Sequence, residues 1–588
     1  MGLRLSPSIL VVVAAVALSC GGSAPEPLEP LEPPEPSPPA EEAPTLGSAD
    51  RLSTSVLVPP LATEERPLSV AVDLQDAAER ARVTDALRVA GIALVAEGPA
   101  DARVSDHGVD GGSAYPLEAW AVVTDQRHDV LELSTTHLTK VLTGELTDWS
   151  EIGGGEQAIT ILLPGTRIDE VARMFGMVRG DLVGELKSID AMLQRLQSDA
   201  GTLALLPVAE LRPGILALIL DGHDPYRDPH SESPLRIERW ISAADTALAD
   251  RIADALDWTA VLTDPLGLLA TGDFLPVRCS NAALEDRGYA AAFESVGDAL
   301  RAADLTVVSV EVALTDRVPP TPCERQLSGP FVLQGSAAAI PALVGAGVDV
   351  VTAAGNHVLD CWGGCPGGQV LADTLAGYAA AGLAHAGIGT TLSEARAPAI
   401  VEADGIRVAV LSYDDIAPLY WAGDEEPGAA PLTLPTLDDD VRAASDLADF
   451  VVVAFSWGIE YSDVITTRQQ DAARIAIAAG ASVVVGNHPH TIQPVEVIGG
   501  GVAAYALGNF LFDQDWSIAT TQSLILEVGL ATDRLLGFRI RPVVVRDVHR
   551  PEFVDPAGEG ASILQRFWRA TDALLLDNRV IAGRCDGC

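Results

Sequence analysis

Six apolar runs in the second half of the chain each end in polar residues that a packed strand does not need. They are LLATGD (268–273), DLTVVSVE (304–311), VDVVTAAGNH (348–357), DFVVVAFSWG (449–458), ASVVVGNHPH (481–490) and GVAAYALGNF (501–510). Short, valine-rich runs bounded by glycine and polar residues predict buried strands. In the first half, LSVAVDL (68–74) predicts a strand, DAAERARVTDALRVAG (76–91) an amphipathic helix stopped by Gly91, and EAWAVVTD (118–125) another strand. Both halves therefore read as α/β. In the tail, GASILQRFWRATDALLL (560–576) spaces Leu564, Phe567, Trp568 and Leu574 along one helix face, a core-facing stripe.

The first 48 residues follow neither pattern. Arg4 precedes an apolar core from Ile9 to Leu18, which reads as an export signal. Residues 23–48 are rich in Pro and Glu and cannot pack, since proline removes donors and the charges repel. At ~3.1 Å per residue, about 25 such residues form a stalk of ~75 Å; an unstructured terminus is the alternative.

Composition narrows the function. In 588 residues, Asp+Glu number 82 against 38 Lys+Arg, a net charge of −44, which makes nucleic acid and anionic lipid poor partners. The two lysines, Lys140 and Lys187, do not follow a glycine, so a phosphate-loop NTPase is excluded. No segment after the signal reaches the ~18–20 unbroken apolar residues of a membrane helix. Beyond Cys20, the six cysteines of an exported chain predict disulfides. Spacing pairs Cys361 with Cys365 and Cys585 with Cys588, leaving Cys279 with Cys323; a zinc site built from the two close pairs is the alternative.

The start of the chain resembles a bacterial lipoprotein signal, in which Ala17-Leu18-Ser19 lead to a lipidated Cys20, with Ala17 where leucine is usual. That resemblance implies a cell-envelope protein attached to a membrane by lipid alone. The runs LSTTHLTKVLTGELTDWSEIGG (133–154) and TLALLPVAEL (202–211) resemble phosphate-type periplasmic binding proteins, the second run as a strand followed by a helix. Such proteins hold an oxyanion on a Ser-Gly-Thr-type loop at a helix N-terminus. The corresponding LLPGTRIDE (162–170) keeps Gly165-Thr166 but adds Asp169 and Glu170, which favours a degenerate binding fold over a phosphate receptor.

Polar groups at the carboxyl ends of buried strands are where α/β folds place active sites. Here these groups are Asp273, Glu311, Asn356, His357, His488 and His490, and mixed oxygen and nitrogen donors favour Mn, Fe or Zn. On an extended backbone His488 and His490 point the same way, with Pro489 fixing the turn. A strand-end Asp that merely caps a helix, or Asn-His as turn chemistry, is the plainer alternative for each cluster alone.

Taken in order, Gly272-Asp273, DLTVVSVEVALTDR (304–317), GVDVVTAAGNHVLD (347–360), the stretch 380–413, GIEY (458–461), GNHPHTIQPVEV (486–497) and YALGNFLFDQ (505–514) resemble the CapA family of capsule and poly-γ-glutamate synthesis proteins. The resemblance implies a four-layer α/β/β/α fold of the calcineurin-like metallophosphoesterase type. It also implies one or two divalent ions: one on Asp273, Glu311 and His490, the other on Asn356, His488 and a share of Glu311, with His357 as general acid or electrostatic stabiliser. Four positions depart from the family pattern. Ser309 stands for Asn, Gly355 for the first Asn of a pair, Asn487 for the first His of His-His-Pro-His, and Ser456 for the His before Trp-Gly. A serine hydroxyl is a weak ligand for Zn or Mn, so the second position is weakened.

These readings divide the chain into a signal peptide (1–20), a linker (21–50), a periplasmic-binding-protein-like α/β domain (65–245), a metallophosphoesterase-like domain (266–550) and a C-terminal helix with a Cys-x-x-Cys tail (556–588). The implied function is synthesis or export of an extracellular polymer of the poly-γ-glutamate type, in partnership with the polymer or its synthesis machinery. Hydrolysis stays open. The alternatives are a non-catalytic assembly factor with a degenerate metal site, and a solute receptor acting through the N-terminal domain.

Overall fold

The computed structural model describes residues 68–585 apart from 76, 96–98, 107–110, 166, 178–187, 231–232, 259–262 and 324–330. The signal, Cys20 and the linker lie outside the described residues, as does the Cys585–Cys588 pairing.

The N-terminal half is built on one mixed sheet in the order Ala93–Leu94, Ser69–Asp73, Ala102–Ser105, Arg236–Ala243, Ser113–Asp125, Thr202–Pro207, Thr160–Leu162. Its thirteen-residue central strand, Ser113–Asp125, pairs with Arg236–Ala243 through its first half and with Thr202–Pro207 through its second. The helix expected at 76–91 is Ala77–Val89, and it buries Val83 and Leu87 one turn apart against Val70 and Val104. Thr246–Ala255 packs on the same core through Ala249, Ile252 and Ala253, carrying this layer past a boundary at 245. Asp245 starts that helix by accepting from the Leu248 amide. After Thr202–Pro207 only a three-residue 3₁₀ turn, Val208–Glu210, forms where a helix was expected. Pro213 drives the residue before it out of the α region, so the turn cannot propagate.

Two sheets make the C-terminal half. In the first, Ala384–Ala386, Val350–Thr352, Leu305–Ser309 and Leu266–Phe274 run parallel, and Gln522–Leu530, Leu535–Arg546 and Arg550–Phe553 extend it antiparallel. The second runs Ala399–Ala403, Ile406–Asp414, Phe450–Ser456, Val483–Asn487, Gly501–Ala504, Val495–Ile498, its middle four strands parallel. Alternation along each strand sorts residues between faces. Leu268, Ala270, Val307 and Val350 meet Val408, Val410, Val452, Val483 and Val485 in the core between the sheets. Leu269, Val308 and Val351 face outward to the layer holding Leu284, Leu343 and Leu371, while Ala409, Leu411, Val451, Val453 and Val484 face helices Leu434–Ser445 and Thr467–Ala479. The layers are thus α/β/β/α. Ala561–Cys585 closes the inter-sheet core with Ile563, Leu564 and Phe567, and reaches the outer layer with Leu574. Among the described residues no helix is long and apolar enough to cross a membrane.

The halves meet at a buried arginine. Arg539 donates to Asp224 Oδ2 (2.9 Å) and Oδ1 (3.1 Å), to Glu527 Oε2 (2.8 Å) and to the Ala217 carbonyl (2.9 Å). Tyr226 lies over the cross-strand pair Gly529 and Gly537, where a Cβ would come within 2.8 and 2.6 Å of it, so only glycine admits the ring.

Candidate functional site

The alternation that fills the inter-sheet core turns polar at the carboxyl ends of the strands. Continuing inward from Val307 come Ser309 and Glu311; from Val410, Ser412 and Asp414; from Val452 and Ala454, Ser456; from Val483 and Val485, Asn487. All are buried.

Asp273 reaches this end because Leu266–Phe274 bulges after Ala270. A Cβ on Gly272 would sit 1.9 Å from the Gly508 carbonyl, so the turn that presents Asp273 requires glycine. The Asp273 carboxylate accepts from the His488 amide (3.3 Å) and lies 3.2 Å from His490 Nδ1. His488 and His490 have φ of 86° and 57°, so their backbone is left-handed rather than extended. The expectation that alternation on an extended chain aims them together is therefore corrected: two left-handed turns bring the rings to 5.8 Å between centroids.

Hydrogen bonds fix the ring orientation of His490 and His357. Asn509, which sequence reasoning missed, donates its Nδ2 to Gln514 Oε1 (3.1 Å) and the Thr520 carbonyl (2.9 Å). Its Oδ1 must then accept from His490 Nδ1 (2.9 Å), which leaves His490 Nε2 with the lone pair. His357 Nδ1 donates to Asp360 Oδ2 (2.7 Å), and His357 Nε2 accepts from Asn356 Nδ2 (3.1 Å), which frees Asn356 Oδ1. Asp360 is itself held by the Leu333 amide (2.6 Å) and the Tyr420 hydroxyl (2.5 Å). His357 is the more open of the site histidines, with 14 % of its side chain exposed. Cys361–Cys365 bridges the loop just after Asp360, and Cys279 is bonded to Cys323.

Six buried polar atoms at these strand ends have no hydrogen-bond partner: Glu311 Oε1, Asn356 Oδ1, Asp414 Oδ1, Ser456 Oγ, Asn487 Oδ1 and His488 Nδ1. Left so, each costs about 1–3 kcal/mol. Burial first, then the carboxylates of Asp273 and Asp414, push the Glu311 carboxyl well above its usual range, and burial raises Asp414 as well. Burial, with His490 and His357 adding to it, lowers the His488 imidazole. A cation among these oxygens and imidazoles would satisfy the orphaned atoms and restore the carboxylates to their charged form. Among the described residues no three His, Cys, Asp or Glu side chains already stand as a ready metal cage, and the available donors include Asn and Ser.

Asp414 was the second residue that sequence reasoning missed. It ends the buried strand Ile406–Asp414, the same signal that singled out Asp273 and Glu311. Gly355 also has a structural reason, since a Cβ there would lie 2.6 Å from Glu311 Cβ. In the N-terminal half Thr166 lies outside the described residues. Arg167 beside it is engaged by the carboxylates of Glu118 and Glu170 and stacks over Trp120 at 4.7 Å.

Over 312 residues, 53% of this chain, it is 28% identical to the PGA biosynthesis protein CapA of Bacillus subtilis, covering 76% of that protein. Among solved structures, an ABC-type phosphate transport receptor from Vibrio cholerae overlays 33% of this chain and 94% of its own, at 16% identity and a TM-score of 0.26. A Haemophilus influenzae NAD nucleotidase overlays 48% of this chain and 56% of its own, at 11% identity and a TM-score of 0.31. Residues 267–514 match the family described as bacterial capsule synthesis protein PGA_cap, so the C-terminal half of the chain is similar to the CapA proteins.

Proposed function

We propose that this protein is an envelope component that acts in the synthesis or export of an extracellular polymer of the capsule or poly-γ-glutamate type, and that its inter-sheet pocket is a metal-dependent hydrolytic site. The family match over residues 267–514 carries the polymer assignment. Six unpartnered polar atoms beside the buried carboxylates of Asp273, Glu311 and Asp414 carry the metal reading. Asp273, Glu311 and His490 through Nε2 would hold one ion, and Asn356 through Oδ1, His488 through Nδ1 and Glu311 a second. Mn, Zn and Fe suit such a mixed set. A bound divalent ion supplies a hydroxide at neutral pH and neutralises charge on the reacting group.

The remaining chemistry belongs to the chain. Asp360, fixed by Leu333 and Tyr420, keeps a proton on His357 Nδ1 and holds the ring in place. Gaining a second proton at Nε2 breaks the bond from Asn356 and makes His357 the general acid at the pocket mouth. A lipid on Cys20 would attach the protein to the membrane.

Ser456, where the family has His, favours a second reading in which the pocket only organises an assembly factor. One experiment separates the two: metal content of the purified full-length chain, together with hydrolysis of a generic phosphodiester and of poly-γ-glutamate, in wild type and His490→Ala. Metal and hydrolysis lost together in His490→Ala support the hydrolase. Metal without turnover on either substrate supports the assembly factor, and loss of surface polymer on deletion in the host supports the polymer assignment under both.

A further inference from the structure

Three neighbouring strands of the second sheet end in one row. Asp414 is the register partner of Ser456, and Ser456 is the register partner of Asn487. Register partners in parallel strands project from the same face about 4.8 Å apart. That face is the inner one, because Val410, Val452 and Val485 precede the three residues at even spacing within the inter-sheet core. Asp414 Oδ1, Ser456 Oγ and Asn487 Oδ1 each lack a partner at full hydrogen-bond geometry, and the Ser456 hydroxyl stands within looser reach of the Glu311 and Asp414 carboxylates. Opposite them, on the segment leaving the first sheet, Glu311 Oε1 is likewise unpartnered. The exposures of the four residues are 0, 1, 3 and 1 %, so bulk water does not satisfy them.

Asp414 is also rigid. Its other oxygen accepts from Trp421 Nε1 (2.7 Å) and the Ala417 amide (3.0 Å), so Oδ1 is aimed rather than free to rotate away. No Lys or Arg ion-pairs with Asp414 or Glu311 among the described residues. Ser456 reads as a lost ligand only if a histidine must stand there. A carboxylate one strand over, with an amide oxygen on the other side, replaces nitrogen by oxygen instead.

We propose that Asp414, Ser456 and Asn487, closed by Glu311, form an all-oxygen cation position at the carboxyl end of the second sheet, suited to a hard divalent ion such as Mg2+ or Mn2+. Hard ions take carboxylate, amide and hydroxyl oxygen, whereas zinc gains most from imidazole and thiolate. The inference rests on the metal reading given above and adds a donor set on the second sheet that shares Glu311 with the positions named there.

The test uses the full-length chain stripped of metal and titrated with Mn2+ alone, bound ion being followed by electron paramagnetic resonance, then challenged with Mg2+ or Zn2+. One Mn2+ step that excess Mg2+ displaces is expected, with a smaller preference for Zn2+ over Mn2+ than at a step that depends on His488 or His490. Asp414→Asn should weaken that step at least tenfold and leave any other step in place. Asn487→Asp, which adds a charge without bulk, should tighten it. Circular dichroism of each variant establishes that it is folded, and the two opposed shifts keep the result readable if one variant is not. Should wild type bind Mn2+ and both variants titrate identically to it, this ligand set is wrong while the metal reading stands. Should wild type bind no divalent ion at all, the metal reading itself falls and this inference with it.

Discussion

Arg539→Met tests whether the two halves act as one body. The guanidinium is fully buried and makes four hydrogen bonds, three of them to carboxylates, so its loss strands Asp224 and Glu527 at the seam. Removing one partner of a buried pair costs about 3–5 kcal/mol. Glu527 retains Arg541 at 3.3 Å, and Asp224 retains the Tyr226 amide at 3.0 Å, which places the expectation at about 3 kcal/mol, the lower end of that range. Urea unfolding of the full chain should show an earlier transition. Because a chain of this size need not unfold in two states, the decisive quantity is the coupling in a cycle of Asp224→Ala, Arg539→Met and the double variant. A coupling of at least ~1.5 kcal/mol is expected, within the 0.5–3 kcal/mol that directly interacting residues show. Additive effects would refute the latch. Acid unfolding gives a second readout with a definite sign. Burial alone would raise the Asp224 carboxyl, but Arg539 outweighs it and holds the group below its usual value. Its contribution is then fully present above an unfolded pKa of ~3.9 and is lost as pH falls through the lower, folded value, so Asp224→Asn should flatten the acid limb below about pH 4.

Four further outcomes are expected. Gly355→Ala should cost about 1–3 kcal/mol by overpacking against Glu311, measured by thermal unfolding, and should weaken Mn2+ binding in parallel. Replacing Cys361 and Cys365 by Ser opens a loop closed by a sequence separation of 4, so stability should fall by only about 2 kcal/mol with the circular dichroism spectrum unchanged. If the chain hydrolyses a phosphodiester, His357→Ala should lower kcat by about 10²–10⁴. Cys20→Ser should release the protein from the detergent phase; an unsubstituted chain already found in the aqueous phase would refute the anchor.

Legibility in this chain followed the distance over which a feature is determined. The six strand ends were readable because burial between two sheets forces a continuous apolar run, and such a run can stop only where polar groups are wanted. Asp414 obeys the same rule but was passed over, because the segment before it was matched as family pattern and ended at Tyr413. Counting inward-facing positions from Val408 would have reached it. Asn509 was out of reach for a different reason: its role depends on Gln514 and Thr520 fixing its amide, contacts made only once the turn after Asn509–Leu511 has formed. The left-handed backbone at His488 and His490 is likewise a property of the folded turn, where non-glycine residues accept an unfavourable φ because Asp273 and Asn509 hold the result.

The substitution of Ser456 changes meaning once neighbours in space replace neighbours in sequence. Along the chain it is a histidine lost before Trp-Gly. Across the sheet it is the middle of a row whose flanking members, Asp414 and Asn487, also differ from imidazole and are also left with an unpaired oxygen. A site decaying without function has no reason to keep three buried polar side chains aligned, since apolar residues of similar size would relieve the cost of about 1–3 kcal/mol that each orphaned atom imposes. Oxygen donors at all three positions, two of them where the family has His, are what a change of preferred ion requires, and loss of a site does not.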